Sequence, residues 1–303
     1  MTTRLISATT SEIIKMNRDE LKQSIKASEG RIICSENMII YKPLCDVLTN
    51  AEVDKAFGAD LILLNFLDVF NPYIAGLNPC DDSDPDFTSD QNEIKKLKKY
   101  IGRPIGINLE PINKKANMMV ERNEINVGRT VSKESLEKAN ELGVDFICLT
   151  GNPKTGVDNN SIIESVKDAK KFYNGLIFAG KMHSAGVDEE VVNIDIIKQL
   201  IDAGTDVVLA PAVGTIQGFT QEKMIETVNY AHKHGALVMS TIGTSQEGAS
   251  KETIQTIALT NKICGVDIQH IGDVSEKENI FHMSMTIRGR RHTYNRMAQS
   301  INR

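Results

Sequence analysis

Four times the chain writes Gly-x-Asp directly ahead of an apolar run: Gly58-Ala-Asp60, Gly143-Val-Asp145, Gly204-Thr-Asp206 and Gly265-Val-Asp267. An amphipathic stretch precedes each phrase, at 49–57, 132–142, 194–203 and 250–264, and another at 220–234 precedes Gly235. A glycine just past a helix can take the left-handed cap conformation that a β-carbon disfavours, so the phrase marks a helix end and a strand start. Strand-like runs fall at 31–40, 60–67, 103–110, 144–152, 175–183, 206–214, 236–243 and 266–272. From the fourth onward their starts lie about 30 residues apart, the length of one βα unit. This alternation predicts a single closed (β/α)8 TIM barrel over 1–303. Residues 1–30 are an N-terminal helical extension, with a capping-box spacing at Asn17-x-x-Glu20, and 274–303 are the last helix and a basic tail. A doubly wound open sheet is the alternative. It would want a glycine-rich turn after the first strand, where Ser35-Glu-Asn-Met stands instead.

Composition narrows the function classes. The chain has 303 residues, 41% of them hydrophobic and 25% charged, with a formal net charge of -5. Mild acidity argues against nucleic acid or an anionic membrane as partner. No apolar run reaches the ~20 residues of a membrane span. The first residues lack the apolar core of a signal peptide, so a cytoplasmic protein is expected. The cysteines at 34, 45, 80, 148 and 264 form no CxxC pair, and Cys34 and Cys148 fall inside strand runs as reduced, buried thiols.

Two connections are unusually long. Residues 68–92 carry the acidic run Asp81, Asp82, Asp84, Asp86 and Asp90, which reads as a solvated surface, and 111–131 is mixed in charge. Both follow strands, so both should rise from the barrel mouth, where such loops close over ligands. The tail holds Arg288, Arg290, Arg291, Arg296 and Arg303. An intersubunit contact in a homo-oligomer or a solvated final helix is expected, with Arg290 or Arg291 at a neighbour's phosphate site as a further reading.

In a barrel, polar residues at strand carboxyl ends are the site candidates. Here they are Glu36 and Asn37, Asn65 and Asp68, Asn108 and Glu110, Thr150 and Asn152, Lys181 and His183, Gly214 and Thr215, Thr241 and Thr244, His270 and Asp273. Lys181, amid Ala179, Gly180 and Met182, would be partly desolvated, freeing its amine as a nucleophile or base. The competing reading is an ion pair with Glu110 or Glu36. On a regular strand Lys181 and His183 would leave on one face. Glu110, His183 and His270 are acid–base candidates. The loops at Gly214-Thr215, Gly243-Thr244 and Gly272 suit a phosphate, because glycine lets backbone amides approach an oxyanion and threonine adds a donor. Asn65, Asn108 and Asn152 would orient polar groups. A rival chemistry places a divalent cation such as magnesium on Glu36, Glu110 and His183.

The phrases Phe57-Gly-Ala-Asp-Leu-Ile-Leu-Leu-Asn65, Gly106-Ile-Asn-Leu-Glu-Pro111, Cys148-Leu-Thr-Gly-Asn-Pro153, Ala179-Gly-Lys-Met-His183, Pro211-Ala-Val-Gly-Thr215, Gly243-Thr-Ser-Gln-Glu-Gly248 and Ile287-Arg-Gly-Arg-Arg-His-Thr-Tyr294 resemble a bacterial family of uncharacterised TIM-barrel proteins. The resemblance spans nearly the whole chain and implies no particular reaction. Members are sometimes labelled haloacid dehalogenase-like hydrolases, yet the first strand has no Asp-x-Asp motif. More loosely, the architecture is similar to phosphate-binding and phosphoenolpyruvate mutase-like barrels, although the second strand here ends in Asn65 rather than an aspartate.

The resulting expectation is an enzyme acting on a small phosphorylated or carboxylated metabolite, of lyase, aldolase or isomerase type. The alternatives are a metal-dependent C–C or C–P lyase or hydrolase, and a catalytically idle barrel that senses a metabolite.

Overall fold

Eight parallel strands close into a barrel in chain order: β1 (Ile32–Met38), β2 (Leu61–Asn65), β3 (Ile105–Leu109), β4 (Phe146–Leu149), β5 (Leu176–Gly180), β6 (Val207–Pro211), β7 (Leu237–Ile242) and β8 (Ile268–Ile271). The computed structural model describes residues 3–45, 48–77, 90–243, 246–272 and 277–301. Among these, the helices are α1 (Thr10–Ile13), α2 (Arg18–Lys26), α3 (Asn50–Phe57), α4 (Glu93–Ile101), α5 (Lys133–Leu142), α6 (Asn159–Phe172), α7 (Ile194–Ala203), α8 (Gln221–Lys233), α9 (Lys251–Cys264) and α10 (Glu278–Ile301). Each predicted strand run contains one observed strand. Gly58, Gly143, Gly204 and Gly265 are all left-handed caps, and the Asn17–Glu20 capping box is formed. Thr244, Asp273, Asp81, Asp82, Asp84, Asp86, Cys80 and Arg303 lie outside the described residues.

Alternation along each strand divides the core in two. Ile32, Cys34, Leu61, Leu63, Phe146, Cys148, Phe178, Leu209 and Met239 fill the barrel interior. Ile33, Ile62, Ile107, Ile147 and Ile177 pack outward against the helices. Interior room is tight enough that a β-carbon at Gly106 would stand 2.1 Å from the Phe146 ring, which itself stacks on Phe178 at 4.6 Å. Leu5, Ile6, Ile13, Leu21 and Ile25 join the interior cluster, so the N-terminal extension plugs the amino end of the barrel. Cys34 and Cys148 are buried, and burial pushes both thiols up.

The Gly-x-Asp phrase does more than start a strand. Asp60 donates its N–H to the Ile33 carbonyl and accepts the Ile33 N–H on its carboxylate, both at 2.9 Å. Asp145 does the same with Ile105, Asp206 with Ile177, and Asp267 with Val238. Each even strand is thereby clasped to the odd strand before it. Each clasp also has a basic neighbour: Lys98 at Asp145, Arg18 and Lys22 at Asp206, His232 at Asp267.

Asp60 corrects the reading of the tail. α10 kinks at Gly289, and on either side of the kink Arg288 and Arg296 turn inward to bind the Asp60 carboxylate, with Arg296 Nε at 2.6 Å from Oδ1. Both guanidinium groups are buried, so these two are neither solvated nor free for a neighbouring subunit; Arg290 and Arg291 are exposed. Arg103 lies buried beside the same group, with Nη1 on the Gly102 carbonyl and no partner for Nε or Nη2 among the described residues.

Candidate active site

The carboxyl ends of the strands open into a cavity of ≈ 790 Å³. At its floor lies Glu36 of β1. The register sets Cys34 beside His270, so Glu36, two residues further along the same inward face, comes within reach of that imidazole. Glu36 Oε1 accepts from Asn108 Nδ2 at 2.8 Å, and Oε2 lies 2.9 Å from His270 Nε2. A carboxylate offers only acceptors, so with Glu36 ionised Nε2 carries a proton and the Asn108 amide is fixed with Oδ1 turned away. His270 is fully buried; Glu36 and Asn108 line the cavity. Asn108 Oδ1, Thr150 Oγ1, Glu247 Oε2 and His270 Nδ1 are buried with no hydrogen-bond partner among the described residues.

One wall is an amide and carboxylate chain. Asn65 and Asn152 exchange side-chain hydrogen bonds at 2.8 and 3.0 Å. Asn152 donates its backbone N–H and Nδ2 to Glu110, which pairs with Arg129 at 2.7 Å. The Arg129 guanidinium lies 4.2 Å from the centre of the Phe66 ring. Phe66 has φ 68, a left-handed conformation that costs an aromatic residue free energy, and its N–H is held by Asn65 Oδ1.

The loop over 111–131 forms the lid. Ile112 bridges to Val157 and Met118 to Val187, and backbone bonds run from Asn123 to Lys154 and from Met119 to Gly186. This lays Glu121, Arg122, Asn123, Glu124 and Ile125 along the cavity.

β5 departs from the expected regular strand. It ends at Gly180, φ 146, and the chain turns Lys181 away from His183. The partner of Lys181 is neither Glu110 nor Glu36. Its amine donates to Glu189 at 2.7 Å and to the Ser184 carbonyl at 2.9 Å, and Lys181 is not among the cavity-lining residues. Burial pulls its pKa below the ordinary lysine value despite that carboxylate. His183 does line the cavity. Its Nδ1 accepts the Ala185 N–H at 2.9 Å, leaving Nε2 as the protonated nitrogen of a neutral ring. Burial, then the charge of Lys181, holds its pKa below 6.5, while Glu36 and Glu110 pull the other way.

Of the proposed phosphate loops, Gly243 and Gly272 line the cavity, whereas Gly214 and Thr215 do not, and the Thr215 hydroxyl donates to Ala212. The residues proposed for a divalent ion are separately engaged: Glu36 with Asn108 and His270, Glu110 with Arg129 and Asn152, His183 with Ala185. Among the described residues no group of three or more His, Cys, Asp or Glu is placed to hold an ion; Asp273 lies outside them. Arg122, Arg129 and Glu247 escaped the sequence reading. They sit in a long loop and a short turn, without periodicity, and charge was the sole signal.

Fold and site together define a (β/α)8 barrel with a polar, lidded cavity at its carboxyl mouth. Over residues 6–303 the chain matches a domain of unknown function, DUF7916, and it belongs to that family. The match gives no support to a haloacid dehalogenase-like label. No curated protein matches the chain in sequence. Among solved structures, it is similar to a 2,3-dimethylmalate lyase of the PEP mutase/isocitrate lyase superfamily, at 11% identity and TM-score 0.49, over 87% of this chain and 81% of that one. It is similar also to the YdjI aldolase of Escherichia coli K12, at 12% and 0.49, over 90% and 95%. A thiamine phosphate pyrophosphorylase from Pyrococcus furiosus gives 12% and 0.47, over 89% and 98%. Likeness at this level carries no reaction with it. Among the described residues, no helix is long and apolar enough to cross a membrane.

Proposed function

We propose that the protein is an enzyme that moves a proton on a small anionic metabolite, in the manner of an isomerase, aldolase or related lyase. The observation that carries this is the hydrogen-bonded line Asn108–Glu36–His270 at the cavity floor. A carboxylate held at both oxygens is fixed in place, yet each oxygen retains a lone pair for an incoming C–H or O–H. The positioned acid–base group is worth roughly 10²–10⁴ in rate. His183, neutral and carrying Nε2–H, is the donor for oxyanion charge developing on the substrate. Arg129 and Arg122 under the lid supply the positive charge for a phosphate or carboxylate. The rim carboxylates Glu121 and Glu124 are exposed, so salt screens their repulsion. Lys181 is assigned the support of the loop after β5.

The test is deuterium wash-in, followed by NMR, over a panel of sugar phosphates and keto acids in D₂O. Wild-type protein should exchange a carbon-bound proton of at least one compound, and Glu36→Gln should stop that exchange while melting normally. Exchange undiminished in the Gln variant, or none with any compound, would sink the proposal.

A further inference from the structure

The unpartnered atoms of the cavity differ in kind between floor and lid. On the floor, Asn108 Oδ1 and Glu247 Oε2 can only accept, and Thr150 Oγ1 can give or take. Asn108 and Thr150 are each more than nine-tenths buried and line the cavity. The orientation of Asn108 is not free to change, because its Nδ2 is committed to Glu36. Under the lid the unpartnered atom is a donor, Arg122 Nε, with Arg122 Nη2 held by the Asn113 carbonyl. Arg129 adds a second guanidinium, paired on one side with Glu110, and the lid carboxylates Glu121 and Glu124 are exposed to solvent. A ligand must therefore present donors to the floor and negative charge to the lid. Buried acceptors reject a ligand that brings no donor to them.

Resting on the proton-transfer reading above, we infer that the substrate is a polyhydroxylated acid, a sugar acid or its phosphate. Its anionic end lies at Arg122 and Arg129, and its hydroxyls at Asn108 Oδ1, Thr150 Oγ1 and Glu247 Oε2. Hydroxyls fit better than an ammonium group. Two of the three floor positions are neutral, and Thr150 needs a partner that can also accept.

The experiment is calorimetric binding to the full chain. The probes are four- to six-carbon aldonates, the straight-chain carboxylates of equal length, the polyols of equal length and the matching amino acids. At least one aldonate should bind with Kd below about 10 mM, and its deoxygenated counterpart at least ~100-fold more weakly. Thr150→Val should weaken that aldonate about tenfold or more, and Thr150→Ser should restore it, which separates a lost hydroxyl from a damaged fold. The inference is overturned if no aldonate binds, if the deoxygenated acid or the amino acid binds as well, or if Thr150→Val changes nothing. Binding does not require Glu36 to act as a base. Aldonates that bind with no proton exchange anywhere would remove the proton-transfer reading alone, and exchange confined to unhydroxylated keto acids would remove this inference alone.

Discussion

Glu189 takes Lys181 out of the barrel mouth: the two are 2.7 Å apart, the lysine buried and the carboxylate about a quarter exposed. The pair fastens the loop after β5 rather than presenting an amine to the cavity. Lys181→Met should therefore lower unfolding stability by about 1–3 kcal/mol, less than a fully buried pair because Glu189 retains some water. Borohydride reduction in the presence of keto acids should trap no adduct on Lys181. A trapped adduct, read by mass spectrometry, would return the lysine to the chemistry.

Asp206 holds the Ile177 N–H and two cations at once. Asp206→Ala leaves the buried Ile177 N–H unpaired and takes a carboxylate from the partly exposed Arg18 and Lys22. The expected cost is roughly 1–3 kcal/mol in urea unfolding, with activity per folded molecule unchanged, because the site is at the other end of the barrel. A cost under about 1 kcal/mol would mean that the clasp is ornamental.

Arg103 is the opposite case. Burial, with Arg296 beside it, pushes its pKa down to about 9, and the nearby Asp60 carboxylate already serves Arg288 and Arg296. Arg103→Met keeps the packed stem and removes an excess buried charge. It should leave stability unchanged or raise it by about 1–4 kcal/mol. A clear loss in denaturant midpoint would show that the guanidinium has a partner of its own.

His232 and His183 should respond to pH with opposite signs. The hydrogen bond to Asp267 raises the folded pKa of His232 above 6.5. Its contribution is complete below 6.5 and is lost as pH rises through the folded value. With the ring partly exposed, the amplitude should stay within about 1 kcal/mol. His183 is lowered by burial, so its contribution is complete above 6.5 and lost as pH falls through the folded value. Urea midpoints across pH 5–9 should show His232→Gln flattening the alkaline limb only.

Much of the barrel is legible because its signals are local: an apolar run, a glycine cap, an aspartate. Glu36, Asn108 and His270 are likewise visible as polar strand ends. Their partnership is not, since it depends on register around a closed sheet, which brings residues 234 positions apart within hydrogen-bond distance. Lys181 misleads for a local reason, the end of the strand at Gly180, three residues short of the expected run to His183. Arg288 and Arg296 mislead because charge in a terminal segment reads as exposed, whereas Asp60 and the carbonyls of Leu5, Ala8, Arg31 and Gly58, all far away in sequence, hold them buried.

The four clasps fall within β1–β2, β3–β4, β5–β6 and β7–β8, while the residues ahead of β3, β5 and β7 are Arg103-Pro104, Asn174-Gly175 and Gly235-Ala236, with no aspartate among them. The cylinder is thus coopered from four double staves, each sealed at its base, with plainer seams between. Parted at the seam near Asn174, the chain would yield two halves, each holding two sealed staves. Neither half would be complete as a site, because Glu36 and Asn108 would go with one and His270 with the other.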